Sequence, residues 1–262
     1  MKFQQKLNNL IKKNDSLMCV GLDPDLDKFS KDLFKSSDPI FEFNKKIVDE
    51  TCDLVCAYKP DIAFYEAYGI EGLKSLKKTL EYIPKDIPII LDAKRGSVGH
   101  TAQLYAKSVF DYWNADAVTL NIFTGKDGVD PFLKYKDRYS FLYLRSSNPS
   151  ASDFQDINVN GKPLFQVMAE KVAVWKEENF GIIAPATYPK ELKILRKIFE
   201  NRYFLVPGIG AQGGDLEKTL KAGFTKNKSC LIISSSRGII FSENPREEAL
   251  RLRKEINKYR YE

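Results

Sequence analysis

Metal ligands and thiols are scarce in this chain: one histidine, His100, and four cysteines, Cys19, Cys52, Cys56 and Cys230, in 262 residues. Only Cys52 and Cys56 are near each other, one helical turn apart, so neither a structural zinc nor a secreted disulfide framework is expected. The expected setting is reducing, the cytoplasm. Long apolar runs are missing as well. Met1 to Leu7 has no secretory apolar core, and no window is long enough for a membrane span, so no membrane partner is expected. Lysines and arginines number 41 against 35 acids, a net charge of +6, but they are interspersed and form no tight basic cluster with interleaved aromatics. That argues against nucleic acid and suits an anionic small molecule. Linkers, low-complexity tracts and repeats are absent, which implies one domain over residues 1–262.

What is present is a regular alternation of short apolar runs with amphipathic stretches. Predicted strands are Leu17–Leu22, Val55–Tyr58, Ile87–Asp92, Ala117–Ile122, Ser140–Leu144, Gly181–Ala184, Tyr203–Val206 and Cys230–Ile233. Helices are predicted over Ile40–Val55, Ile70–Tyr82, Gly99–Trp113, near Asp130, and over Pro163–Asn179, Lys190–Phe199, Asp215–Ala222 and Pro245–Lys258. Eight strands alternating with eight helices imply a (β/α)8 TIM barrel. Phe3, Leu7, Leu10 and Ile11 follow helical spacing and predict an N-terminal helix capping one end. An open doubly wound sheet would carry a glycine-rich turn after its first strand; here that turn reads Gly21-Leu22-Asp23-Pro24-Asp25. No cofactor motif is present, and no cofactor or metal is expected. The polar stretch Ser146–Gly161 is the longest irregular piece and a candidate lid.

Barrel enzymes build their sites at the carboxyl ends of the strands. Those ends carry Asp23, Lys59 with Asp61, Asp92 with Lys94, Asn121, Ser146 with Ser147, Thr187, Gly208 with Gln212, and Arg237. Asp92 and Lys94 stand two residues apart, which in extended backbone places both side chains on one face. Two ammonium groups flanking a carboxylate form a network able to donate a proton to a developing carbanion. Gly208, Gly210, Gly213 and Gly214, with Gln212 and Arg237, have the composition of a phosphate site in the seventh and eighth loops.

These residues, in this order, resemble the orotidine 5′-phosphate decarboxylase family, in its longer bacterial and protozoan-like subgroup. The resemblance covers nearly the whole chain. It rests on Gly21–Asp25, Tyr58-Lys59-Pro60-Asp61-Ile62-Ala63-Phe64-Tyr65, Leu91-Asp92-Ala93-Lys94-Arg95-Gly96, Ser147-Asn148-Pro149 with Phe154-Gln155, Ala186–Pro189, Pro207–Gly214 and Ser236-Arg237-Gly238. It implies release of CO2 from orotidine 5′-phosphate to give uridine 5′-phosphate in pyrimidine biosynthesis. Lys94 would protonate C6, Asp92 would hold the lysines and crowd the substrate carboxylate, and Lys59 would complete the network. Asp23 and Lys59 would meet the ribose, Ser147 the pyrimidine edge, and Gln212 and Arg237 the phosphate. Asp61, Thr101, Asn121, Ser146, Pro207, Gly208 and Gly238 complete the expected substrate contacts, and a homodimer with shared sites is implied.

One position departs from the family pattern Asp-x-Lys-x-x-Asp. Its last acid, which reaches across the dimer interface, is here Ser97. The expectation is that two lysines share one acid, that repulsion of the substrate carboxylate is lost, and that turnover is reduced. Two other classes remain: a sugar-phosphate decarboxylase or aldolase with metal-assisted chemistry, and a nucleotide-binding barrel that has lost catalysis.

Overall fold

Eight parallel strands form one sheet in the computed structural model, which describes residues 1–209 and 213–262. In chain order they are Met18–Gly21, Ala57–Lys59, Ile90–Arg95, Ala117–Asn121, Tyr139–Tyr143, Phe180–Ile183, Phe204–Pro207 and Leu231–Ser235. The first strand pairs with the second and the eighth, and from the third onward each strand pairs with its successor. Bridges Tyr58↔Ile89 and Asp61↔Asp92 join the second strand to the third, so the ring closes as the (β/α)8 expectation requires.

Strands such as Met18–Gly21, Phe180–Ile183 and Leu231–Ser235 are buried throughout, as a parallel sheet wrapped by helices demands. Helix Phe3–Asn14 closes the amino-terminal end of the barrel. The Phe3 ring stacks on Tyr139 with centroids 4.9 Å apart, Leu7 is fully buried, and Lys6 pairs with Asp116 at 2.7 Å. With that end plugged by apolar side chains, the open end is the carboxyl rim. Among the described residues no helix is long and apolar enough to cross a membrane.

Several boundaries differ from the sequence reading. The helix expected over Pro163–Asn179 spans only Leu164–Ala173, and residues 174–179 run on without helix to the sixth strand. Residues 146–161 are not irregular throughout: Pro149–Ala151 and Ser152–Gln155 are helical turns, and Asn158–Val159 pairs with Lys162–Pro163 as a hairpin. Helix Gly99–Lys107 passes into a π turn at Ser108–Tyr112. The third strand extends beyond Asp92 to Arg95, with a register shift between Leu91 and Arg95.

Candidate active site

At the shift in the third strand, Lys94 adopts φ +45°, the left-handed region that a side-chain-bearing residue enters only against strain. The alternation argument for Asp92 and Lys94 therefore does not hold as made: the two meet because the backbone kinks, not because it is extended. The kink is braced by Thr119 of the adjoining strand. Thr119 Oγ1 accepts the Lys94 N–H at 2.9 Å and donates its own proton to Asp92 Oδ1 at 2.8 Å.

Asp92 lies between the two expected lysines. Lys59 Nζ is 2.9 Å from its Oδ2 and Lys94 Nζ 2.9 Å from its Oδ1, with Lys59 and Asp92 only 7% and 6% exposed. Burial disfavours the Asp92 charge, but Lys59 and Lys94 outweigh it and hold the carboxyl far below its usual range. Burial also works against both ammonium groups; Asp92 leads the charges that hold them above the usual lysine value, with Asp61 contributing to each. Lys94 makes a further contact, to Asp61 Oδ2 at 2.7 Å, so the two lysines do not share one acid as the Ser97 substitution implied. Asp23, whose Oδ1 accepts the Asp61 N–H at 3.2 Å, is pushed upward by burial against the pull of Lys59.

These groups line one cavity of about 1240 Å3 at the carboxyl rim, together with Asn121, Ser146, Ser147, Pro207, Gly208, Arg237 and Gly238. Two glycines shape the loop after the seventh strand: Gly208 has φ +106°, and a Cβ on Gly214 would stand 2.6 Å from the Gly208 carbonyl oxygen. Gln212 and Gly210 lie outside the described residues. Arg237 begins a short helix, Arg237–Ile240, after the eighth strand and is exposed on the rim.

Three expected residues are placed elsewhere. Ser97 does not line the cavity, and its carbonyl accepts from Thr124 Oγ1 at 3.5 Å; Thr101 is exposed on helix Gly99–Lys107. Both follow the third strand, Ser97 in the connection after it and Thr101 on the next helix. Thr187 braces Ser147 instead, donating to its carbonyl at 3.1 Å.

Sequence reasoning passed over Thr119 and Arg145. A lone hydroxyl inside the apolar run Ala117–Asn121 was the available signal for Thr119. Arg145, 1% exposed, donates to the Ser146 carbonyl at 3.0 Å and to Asp156 Oδ2 at 3.0 Å, and lies 4.4 Å from the Tyr188 ring centroid. It ties the segment 146–161 to the fifth strand; Gln155 Oε1 accepts the Ser146 N–H at 2.9 Å from the same segment.

Fold and site together define a barrel of the enzyme class that gathers paired lysines and carboxylates in a cavity at its carboxyl rim. The sequence pattern described as the orotidine 5′-phosphate decarboxylase / HUMPS family matches residues 16–252. Proteins named orotidine 5′-phosphate decarboxylase from Thermomicrobium roseum and Cellvibrio japonicus are 41% and 44% identical to this chain. Those alignments cover 100% and 98% of the chain and 97% and 98% of the relatives. The solved structure of Leishmania donovani OMP decarboxylase superposes with a TM-score of 0.90 at 36% identity, covering both chains in full. The chain belongs to the orotidine 5′-phosphate decarboxylase family.

The network sets a pH window for stability. A depressed Asp92 pKa contributes stability above the unfolded carboxylate value of about 4, which is lost as pH falls through the folded value. Raised lysine values contribute below the unfolded value of about 10.4, and that part is lost as pH rises through the folded values. Within that window, Thr119→Val should lower the unfolding free energy by about 1–3 kcal/mol, because the Lys94 N–H and an Asp92 lone pair lose their partner. Urea unfolding at pH 7 checks it, and an unchanged midpoint contradicts the bracing role.

Proposed function

We infer that this chain decarboxylates orotidine 5′-phosphate to uridine 5′-phosphate. The observation that carries this is the Lys59–Asp92–Lys94 network on the cavity wall of a chain from this family. The bond from C6 to the carboxylate breaks, CO2 leaves, and the electron pair stays on C6. The Lys94 ammonium gives its proton to C6, and solvent returns one to the amine. Lys94 is well suited: it is held charged by two acids yet 45% exposed toward the cavity. Asp92 sits beside the departing carboxylate and repels it in the ground state more than in the transition state, where that charge disperses.

In this reading Asp23 and Lys59 face the ribose and Ser147 the pyrimidine edge, with Asp61 and Ser146 beside them on the substrate's side of the cavity. Asn121, Pro207, Gly208 and Gly238 line the rest of the nucleotide's path. Arg237, with Gln212, takes the phosphate. No cofactor is required by the step. The segment 146–161, with Phe154 73% exposed, is the lid that phosphate binding helps to close.

The whole chain acts as one domain, in the cytoplasm, and pairs as a homodimer. Support for pairing comes from Val98, Leu104 and Tyr105, exposed beside Ser97 and Thr101, and from Phe123, 81% exposed at the cavity lip. Ser97 and Thr101, which do not reach their own cavity, then serve the partner's site. A serine there lowers turnover by whatever part of the missing acid's role no other group assumes. Full-length identity to proteins named orotidine 5′-phosphate decarboxylase favours this function over a sugar-phosphate lyase or a barrel without catalysis.

Release of CO2 from carboxylate-labelled orotidine 5′-phosphate is expected from chelator-treated protein; no release, or release only when metal is restored, would contradict the mechanism. Arg237→Ala should weaken uridine 5′-phosphate roughly 10- to 100-fold while hardly changing uridine, as loss of a charge-assisted phosphate contact requires. Equal losses for the two ligands in calorimetric titration remove Arg237 from the phosphate.

A further inference from the structure

Asp61 touches the proton-donating lysine more closely than Asp92 does: its Oδ2 is 2.7 Å from Lys94 Nζ, against 2.9 Å for Asp92 Oδ1. Its position is set by backbone. The Asp61 N–H donates to Asp23 Oδ1 at 3.2 Å, its own Oδ1 accepts the Ala63 N–H at 3.2 Å, and residue 61 bridges residue 92 where the barrel closes. One carboxylate oxygen therefore starts the helical turn Ala63–Glu66, and the other is left for Lys94. The side chain is 18% exposed, on the cavity wall, whereas Ser97 does not line the cavity at all.

We propose that Asp61 is a positioning residue for Lys94 and supplies, from within the same subunit, the second carboxylate that Ser97 does not provide. This rests on the decarboxylation proposed above. Two ammonium groups on one buried carboxylate repel each other, and Lys94, the more exposed of the two, is free to swing toward water. A second acid beside Lys94 removes that imbalance and keeps the amine over the substrate. It also places negative charge on both sides of the lysine that meets the substrate carboxylate. Asp61 and Asp92 thus both disfavour the carboxylate that is to be lost, and neither opposes the product, which carries no charge at C6.

A cycle of full-length variants tests this: parent, Asp61→Asn, Ser97→Asp, and the pair together, with kcat and KM for CO2 release and the Kd of uridine 5′-phosphate. Asp61→Asn is expected to lower kcat by about 10²-fold, the lower end for a proton-transfer group. KM and the product Kd should move by less than about tenfold, since the lost interaction acts mainly in the chemical step. Ser97→Asp should raise kcat by a larger factor in the Asp61→Asn background than in the parent, because the two acids serve one lysine. A rise in KM with unchanged kcat in Asp61→Asn would reduce Asp61 to a ribose contact and overturn the proposal. So would equal factors for Ser97→Asp in the two backgrounds. A parent that binds the nucleotide but releases no CO2 would instead overturn the reaction itself.

Discussion

The Asp92 carboxylate holds two ammonium groups at the seam where the second and third strands close the barrel. Taking three such charges out of water is unfavourable unless each is paired and its remaining hydrogen bonds are met. The barrel meets that condition with Thr119 on one Asp92 oxygen, Lys59 on the other, and Asp61 on the far side of Lys94. The seam itself is held by Asp92 N–H donating to the Pro60 carbonyl and Ile62 N–H to the Asp92 carbonyl, at 2.9 and 3.1 Å. Closing the ring and assembling the charges are thus the same set of contacts.

Some of these contacts oppose stability. Lys94 sits at positive φ, and burial pushes the Asp23 carboxyl upward even with Lys59 nearby. Strain and desolvation gathered at one rim are what a site gains from a rigid scaffold, since the fold elsewhere over-determines the arrangement. The opposite end shows the contrast: there Phe3, Leu7 and Tyr139 pack as an apolar plug.

Much of this was legible in the sequence, because a parallel barrel writes its strands as short apolar runs and its site as polar residues following them. Asp23, Lys59, Asp92, Asn121, Ser147 and Arg237 all stand where strand-end counting put them, around one cavity. Less legible was whatever depends on backbone departing from ideal geometry or on partners distant in sequence. The left-handed Lys94 has no local signature, and Thr119 is a single hydroxyl within an apolar strand. Arg145 is fully buried only because residues 155, 156 and 188 fold over it. The pairing of Asp61 with Lys94 spans 33 residues and changes the meaning of Ser97: the motif lacks an acid, yet the lysine does not.

The central claim is that Lys94, held by its carboxylates, delivers the proton to C6. Lys94→Ala tests it most directly, with single-turnover decarboxylation of orotidine 5′-phosphate and binding of uridine 5′-phosphate measured on the same protein. The account predicts a fall in the chemical rate of at least about 10²- to 10⁴-fold with product affinity little altered. A chemical rate within about tenfold of the parent's would contradict it.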